Sequence, residues 1–99
     1  MKISKYFYVY VLRSLKDRFF YVGFTHDLIR RLDSHNKGEM NSTKNRTPLI
    51  LVYWEGCLHL SDATKREKYL KSSWGKRYIK NRLKNYLTGR APETTSNAL

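Results

Sequence analysis

Seven consecutive residues, Tyr6 to Leu12, are all aromatic or aliphatic and mostly of strand-favouring types. An unbroken run of this kind predicts a strand covered on both faces, and so a central one. Period two places Tyr6, Tyr8, Tyr10 and Leu12 on one face and Phe7, Val9 and Val11 on the other. A buried phenol needs a polar partner, so a face this rich in tyrosine must meet polar groups as well as apolar ones. Ser14-Leu15-Lys16-Asp17-Arg18 supplies a turn, and Phe19 to Phe24 reads as the return strand of a hairpin. Gly23, near the end of that strand, marks a place where another group can approach the backbone closely.

Beyond the hairpin, Thr25 and Asp27 are both candidate caps for a helix that stops near Gly38. Leu28, Ile29 and Leu32 are its predicted apolar stripe, with Arg31 and His35, four apart, beside it. Lys37 to Pro48 reads as an exposed loop whose Lys37, Lys44 and Arg46 suit phosphate contacts. Leu49 to Trp54 is a third apolar strand, ended by Glu55-Gly56. Ser61 or Asp62 can cap a second helix, in which Ala63, Arg66, Glu67 and Leu70 recur at i, i+3, i+4 and i+7. Glu67 therefore sits on the inward face, where a carboxylate is costly unless cations or donors meet it. Ser72 to Gly75 reads as a break before a basic helix from Lys76 to Leu87, which carries Lys76, Arg77 and Lys80 around Ile79, Leu83 and Tyr86. The expected organisation is one compact α+β domain over residues 1–87, followed by a polar, disordered tail over 88–99.

Twenty lysines and arginines against 8 acidic residues give a formal charge of +12, which suits a phosphate-rich partner. The cations are spread over every predicted element instead of lining one apolar helix, which disfavours a membrane surface. No segment of about 18 apolar residues and no leader-like start is present, so the chain reads as cytoplasmic. Cys57 is the sole cysteine, and with His26, His35 and His59 it makes no paired zinc-ligand spacing.

Tyr8-Val9-Tyr10, Tyr21-Val22-Gly23, the following Thr25-His26-Asp27-Leu28 and Arg30-Arg31-Leu32, together with His35 and Glu67, resemble the GIY-YIG nuclease family. The resemblance spans Tyr6 to Asn85 and is strongest to the small single-domain bacterial branch. The nuclease domain of the excision-repair incision subunit is also similar, which associates the chain with DNA repair. The first motif has Tyr8 in place of glycine and the second has Val22 in place of isoleucine. Relative to the incision subunit, Phe24 replaces a lysine and His35 a tyrosine.

The resemblance implies a three-stranded antiparallel sheet flanked by about three helices and a metal-dependent endonuclease acting on nucleic acid, DNA in the first instance. Glu67 then holds Mg2+, or Mn2+ in its place, and Arg31, eight residues after Gly23, clamps the scissile phosphate. Tyr10, Tyr21 or His35 orients or activates the water. Taken without the family, the two tyrosines read as sheet aromatics, Arg31 as a surface arginine and Glu67 as half of an ion pair. The alternative function is a nucleic-acid-binding module that retains the fold with little or no cleavage, with RNA as a further possible substrate.

Overall fold

The computed structural model describes residues 5–89, so most of the expected tail lies outside the described residues. The chain divides into two compact units, one ending at Lys68 and one beginning at Tyr69. The first contains a three-stranded antiparallel sheet of β1 (Phe7–Ser14), β2 (Phe20–Thr25) and β3 (Leu49–Cys57) in the order β2-β1-β3. The apolar run is thus the central strand, as its unbroken pattern predicts, and Val9, Tyr10, Val11 and Leu12 are all buried. Helix α1 (Leu28–Asn36) follows β2, and α2 (Leu60–Lys71) follows β3.

Both edges of the hairpin turn are fixed by side chains. Ser14 lies in β1, not in the turn; its hydroxyl donates to the Arg46 carbonyl at 2.6 Å and accepts from the Lys16 and Asp17 amides at 3.1 Å each. Asp17 in turn accepts from the Arg46 guanidinium at 2.7 Å. That hydrogen bond, supported by the Phe19 amide, holds the carboxyl down to about 2. Strand β3 runs three residues past the expected end at Trp54, because Glu55 pairs with Arg66 at 2.8 Å and Gly56 lies opposite Tyr8.

Asp27, not Thr25, caps α1, accepting from the Arg30 amide at 3.2 Å. Thr25 instead braces the approach, accepting from the Asp27 amide at 3.0 Å. Within α1, His35 is the buried residue, and Leu28 and Leu32 pack on the cluster of Tyr10, Leu12 and Leu49. Ile29, expected in the apolar stripe, is 84% exposed. Asn36 then ties the helix to the sheet, its amide making two hydrogen bonds, 2.8 and 2.9 Å, to the backbone of Leu49. Helix α2 starts one residue before Ser61; His59 caps it, its ring Nδ1 accepting from the Ser61 amide at 3.1 Å.

In the second unit the expected break at Ser72 to Gly75 is a cap and a first turn. Ser72 accepts from the Gly75 amide at 3.2 Å and opens α3 (Ser73–Arg82), and a separate short α4 (Lys84–Leu87) follows Leu83. Gly75 is buried inside α3, where an added Cβ would collide with the Tyr69 carbonyl and the Leu70 backbone, so only glycine fits. No helix among the described residues is long and apolar enough to cross a membrane.

Candidate active site

Tyr10 stands at the centre of the sheet, between Gly23 on β2 and Trp54 on β3. A Cβ at position 23 would lie 2.5 Å from the Tyr10 hydroxyl and 2.7 Å from its ring, so the glycine lets the phenol pass across β2. Its hydroxyl reaches His35 Nε2 at 2.9 Å. The other ring nitrogen, Nδ1, lies 2.6 Å from the Thr43 hydroxyl. Tyr10 is 1% exposed and His35 and Thr43 are fully covered. A chain of three buried polar side chains therefore runs from the loop after α1, through the helix, to the central strand.

Tyr21 stands beside this chain, its ring centroid 5.1 Å from that of His35 and 6.4 Å from that of Tyr10, and is half-buried. Burial pushes the Tyr10 phenol up to about 12, with the neighbouring Tyr21 adding to the rise and the Arg31 guanidinium opposing it. The Glu67 carboxylate is near enough to raise it further. Burial lowers His35, and the positive charge of Arg31 lowers it further. Near neutral pH the centre thus holds a protonated Tyr10 phenol and a neutral imidazole.

Of the five residues singled out for catalysis, Tyr10, Tyr21 and His35 meet directly, and the charges of Arg31 and Glu67 act on the Tyr10 phenol. Arg31 is half-buried and lines an open cleft of about 310 Å³ with Thr25, His26, Asp27, Arg30, Ser34 and Met40. Glu67 is also half-buried, on the stripe of α2 that includes the buried Ala63.

The expected phosphate contacts fare differently. The Arg46 guanidinium is engaged by Asp17 and by the Phe20 carbonyl at 3.3 Å, so it staples a turn. Lys37 pairs with Asp33 at 2.8 Å on the helix surface, while Lys44 is exposed. In the second unit Lys76 and Lys80 are exposed, and Arg77 lies over the ring of Trp74 at 5.1 Å. Thr43 is the participant that sequence reasoning passes over. It sits among polar loop residues, and only its burial against His35 sets it apart from Ser42.

Residues 6–80 match the family model of the GIY-YIG catalytic domain. A UPF0213 protein of Clostridium perfringens is 40% identical over 65 residues, covering 65% of this chain and 69% of the relative. One of Haloquadratum walsbyi is 39% identical over 71 residues, 71% of this chain and 79% of the relative. One of Pediococcus pentosaceus is 42% identical over 66 residues, 66% of this chain and 68% of the relative.

Proposed function

The chain belongs to the GIY-YIG family of catalytic domains, and from that premise we propose that it is a magnesium-dependent endonuclease hydrolysing phosphodiester bonds, with DNA as the first substrate to try. The family supports nuclease-type chemistry on nucleic acid, and the charge of +12 agrees with such a partner. The observation that carries the reading is the convergence of Tyr10, Tyr21 and His35, with the charges of Arg31 and Glu67 both felt at the Tyr10 phenol.

Magnesium fits the donor set. Among the described residues no three His, Cys, Asp or Glu side chains are grouped to hold a metal, which disfavours an all-protein cage. Magnesium commonly takes one or two carboxylates and keeps its waters, and a half-buried Glu67 is suited to that. Glu67 would hold the ion, which would supply positive charge to stabilise the phosphoryl group and the leaving oxygen.

The chain's own residues divide the remaining work. Arg31 presents a planar, permanently charged fork to the phosphate in its cleft. Tyr10 is too deeply covered to touch substrate, and its raised phenol stays protonated, so it serves as a fixed hydrogen-bond partner. Both His35 nitrogens are already engaged, by Tyr10 and Thr43. Tyr21 is the accessible member of the three and orients the attacking water, while the buried pair holds its surroundings in place.

Cleavage of supercoiled plasmid and of labelled strands tests this, with magnesium, with manganese and with chelator. Glu67→Ala should lower the rate about 1,000-fold and Tyr21→Phe about 100-fold, with nucleic-acid binding retained. Cleavage that persists in chelator, or that survives Glu67→Ala, would sink the assignment.

A further inference from the structure

Tyr8 shares the face of β1 that carries Tyr10, Tyr6 stands just before the strand, and Trp54 lies directly opposite Tyr10 on β3. The rings of Tyr8 and Trp54 meet edge to face at 5.5 Å, and Tyr6 and Tyr8 lie 6.5 Å apart. Trp54 is 52% exposed, and beside it stands Ile29, the apolar residue that α1 turns outward. Tyr8, Trp54, Leu28 and Ile29 line an open cleft of about 310 Å³ whose remaining wall is His26 and Asp27. Those same two residues wall the Arg31 cleft. An aromatic cleft and a cationic cleft thus share one boundary.

A ligand that fills both must join an apolar, planar group to an anion within a short reach, and a nucleotide unit does so. Bases inside a duplex have their faces already stacked, so only an unpaired or extruded base can lie on the aromatic shelf. Base stacking on exposed aromatics beside a basic groove is tolerant of sequence, as is suitable for a site with no evident base-reading side chains.

We propose that Tyr8, Trp54 and Ile29 form a stacking shelf for an unpaired nucleobase next to the phosphate held by Arg31, making single-stranded or locally unpaired nucleic acid the substrate. This deepens the nuclease reading and rests on its assignment of Arg31. The shelf supplies affinity through the base, and Arg31 and the surrounding positive field supply it through the backbone.

The test is fluorescence anisotropy in chelator, where no cleavage intervenes. The probes are a labelled DNA strand, an RNA strand, a blunt duplex and a DNA strand bearing an abasic run. Trp54→Ala should weaken binding to the intact DNA strand about tenfold and to the duplex less than about twofold. Trp54→Phe should retain most of the affinity, and Trp54→Leu, which keeps apolar bulk without a π-face, should behave like the alanine protein. The abasic strand should bind the wild type and Trp54→Ala alike. The RNA strand decides which sugar is preferred, and losses on both strands support the shelf.

Equal losses on strand and duplex, or full affinity in both Trp54→Ala and Trp54→Leu, would overturn the proposal. So would a wild-type dimer in sedimentation that Trp54→Leu abolishes, since the shelf would then belong to a second copy. Base-dependent binding without metal-dependent cleavage would remove the nuclease reading alone. Glu67-dependent cleavage with base-independent binding would remove the shelf alone.

Discussion

Tyr8 and Tyr10 are two residues apart on one face of one strand, yet they occupy opposite chemical worlds. Tyr10 is covered by α1 and by the loop that delivers Thr43, and its hydroxyl belongs to a buried chain of hydrogen bonds. Tyr8 is half-buried on the wall of an open cleft, where its ring meets the exposed Trp54. The residue type is the same; what packs above it differs. A covered phenol must be satisfied and gains rigidity from its partner, whereas a half-buried ring on a cleft wall keeps part of its surface for a ligand.

The comparison breaks most forcefully at His35. His35→Leu keeps apolar volume but leaves the Tyr10 and Thr43 hydroxyls buried without their partner, each at a cost of about 1–3 kcal/mol. Stability should fall by about 3 kcal/mol, a drop in melting temperature of roughly 15 °C for a domain of this size. The pH profile adds a second readout. Burial lowers His35 below its ordinary value, so the unfolded chain takes up a proton first as pH falls. The stabilisation is therefore complete above about pH 6.5 and lost as pH drops through the interval between the unfolded and folded values. Melting curves between about pH 7.5 and pH 5 should slope downward with acid in the wild type and lose that component in His35→Leu. A parallel slope in both proteins would mean that His35 titrates no differently in the two states.

Sequence pattern reaches one side of this comparison better than the other. The strand order was legible because an unbroken apolar run marks the central strand, and the alternation assigned Tyr6, Tyr8 and Tyr10 to one face. Helical spacing and the resemblance of the motifs singled out Arg31, His35 and Glu67 as candidates, and the fold buries His35 and half-buries the other two. What escaped were contacts made across long separations. Arg46, expected on phosphate, is claimed by Asp17, 29 residues earlier. Thr43 is a loop threonine among polar neighbours until the fold sets it against His35. Ile29 was misassigned because it stands one position from Leu28, about 100° around the helix, and a helix of nine residues leaves its buried face loosely defined by period alone.

A smaller break is expected at Thr43. Thr43→Val is nearly isosteric but removes the hydroxyl facing His35 Nδ1, and should cost about 1–2 kcal/mol. Thr43→Ser restores the hydroxyl and should recover most of the loss in melting temperature. If serine fails to rescue, the threonine methyl and its packing matter more than the hydrogen bond, and the buried chain ends at His35.

The smallest effect should come from the uncovered side, where its smallness is informative. Trp54→Ala removes an indole already half in water and takes no partner from the Tyr10–His35–Thr43 chain, so melting temperature should change by only a few degrees, a cost of about 0.5 kcal/mol. Set against His35→Leu, whose side chain meets the same Tyr10 from the covered side, the contrast separates a side chain retained for the fold from one retained for a ligand. A large loss of stability at Trp54 would erase that distinction: the aromatic shelf would then be the outer layer of the core, and its exposure would carry no meaning for binding.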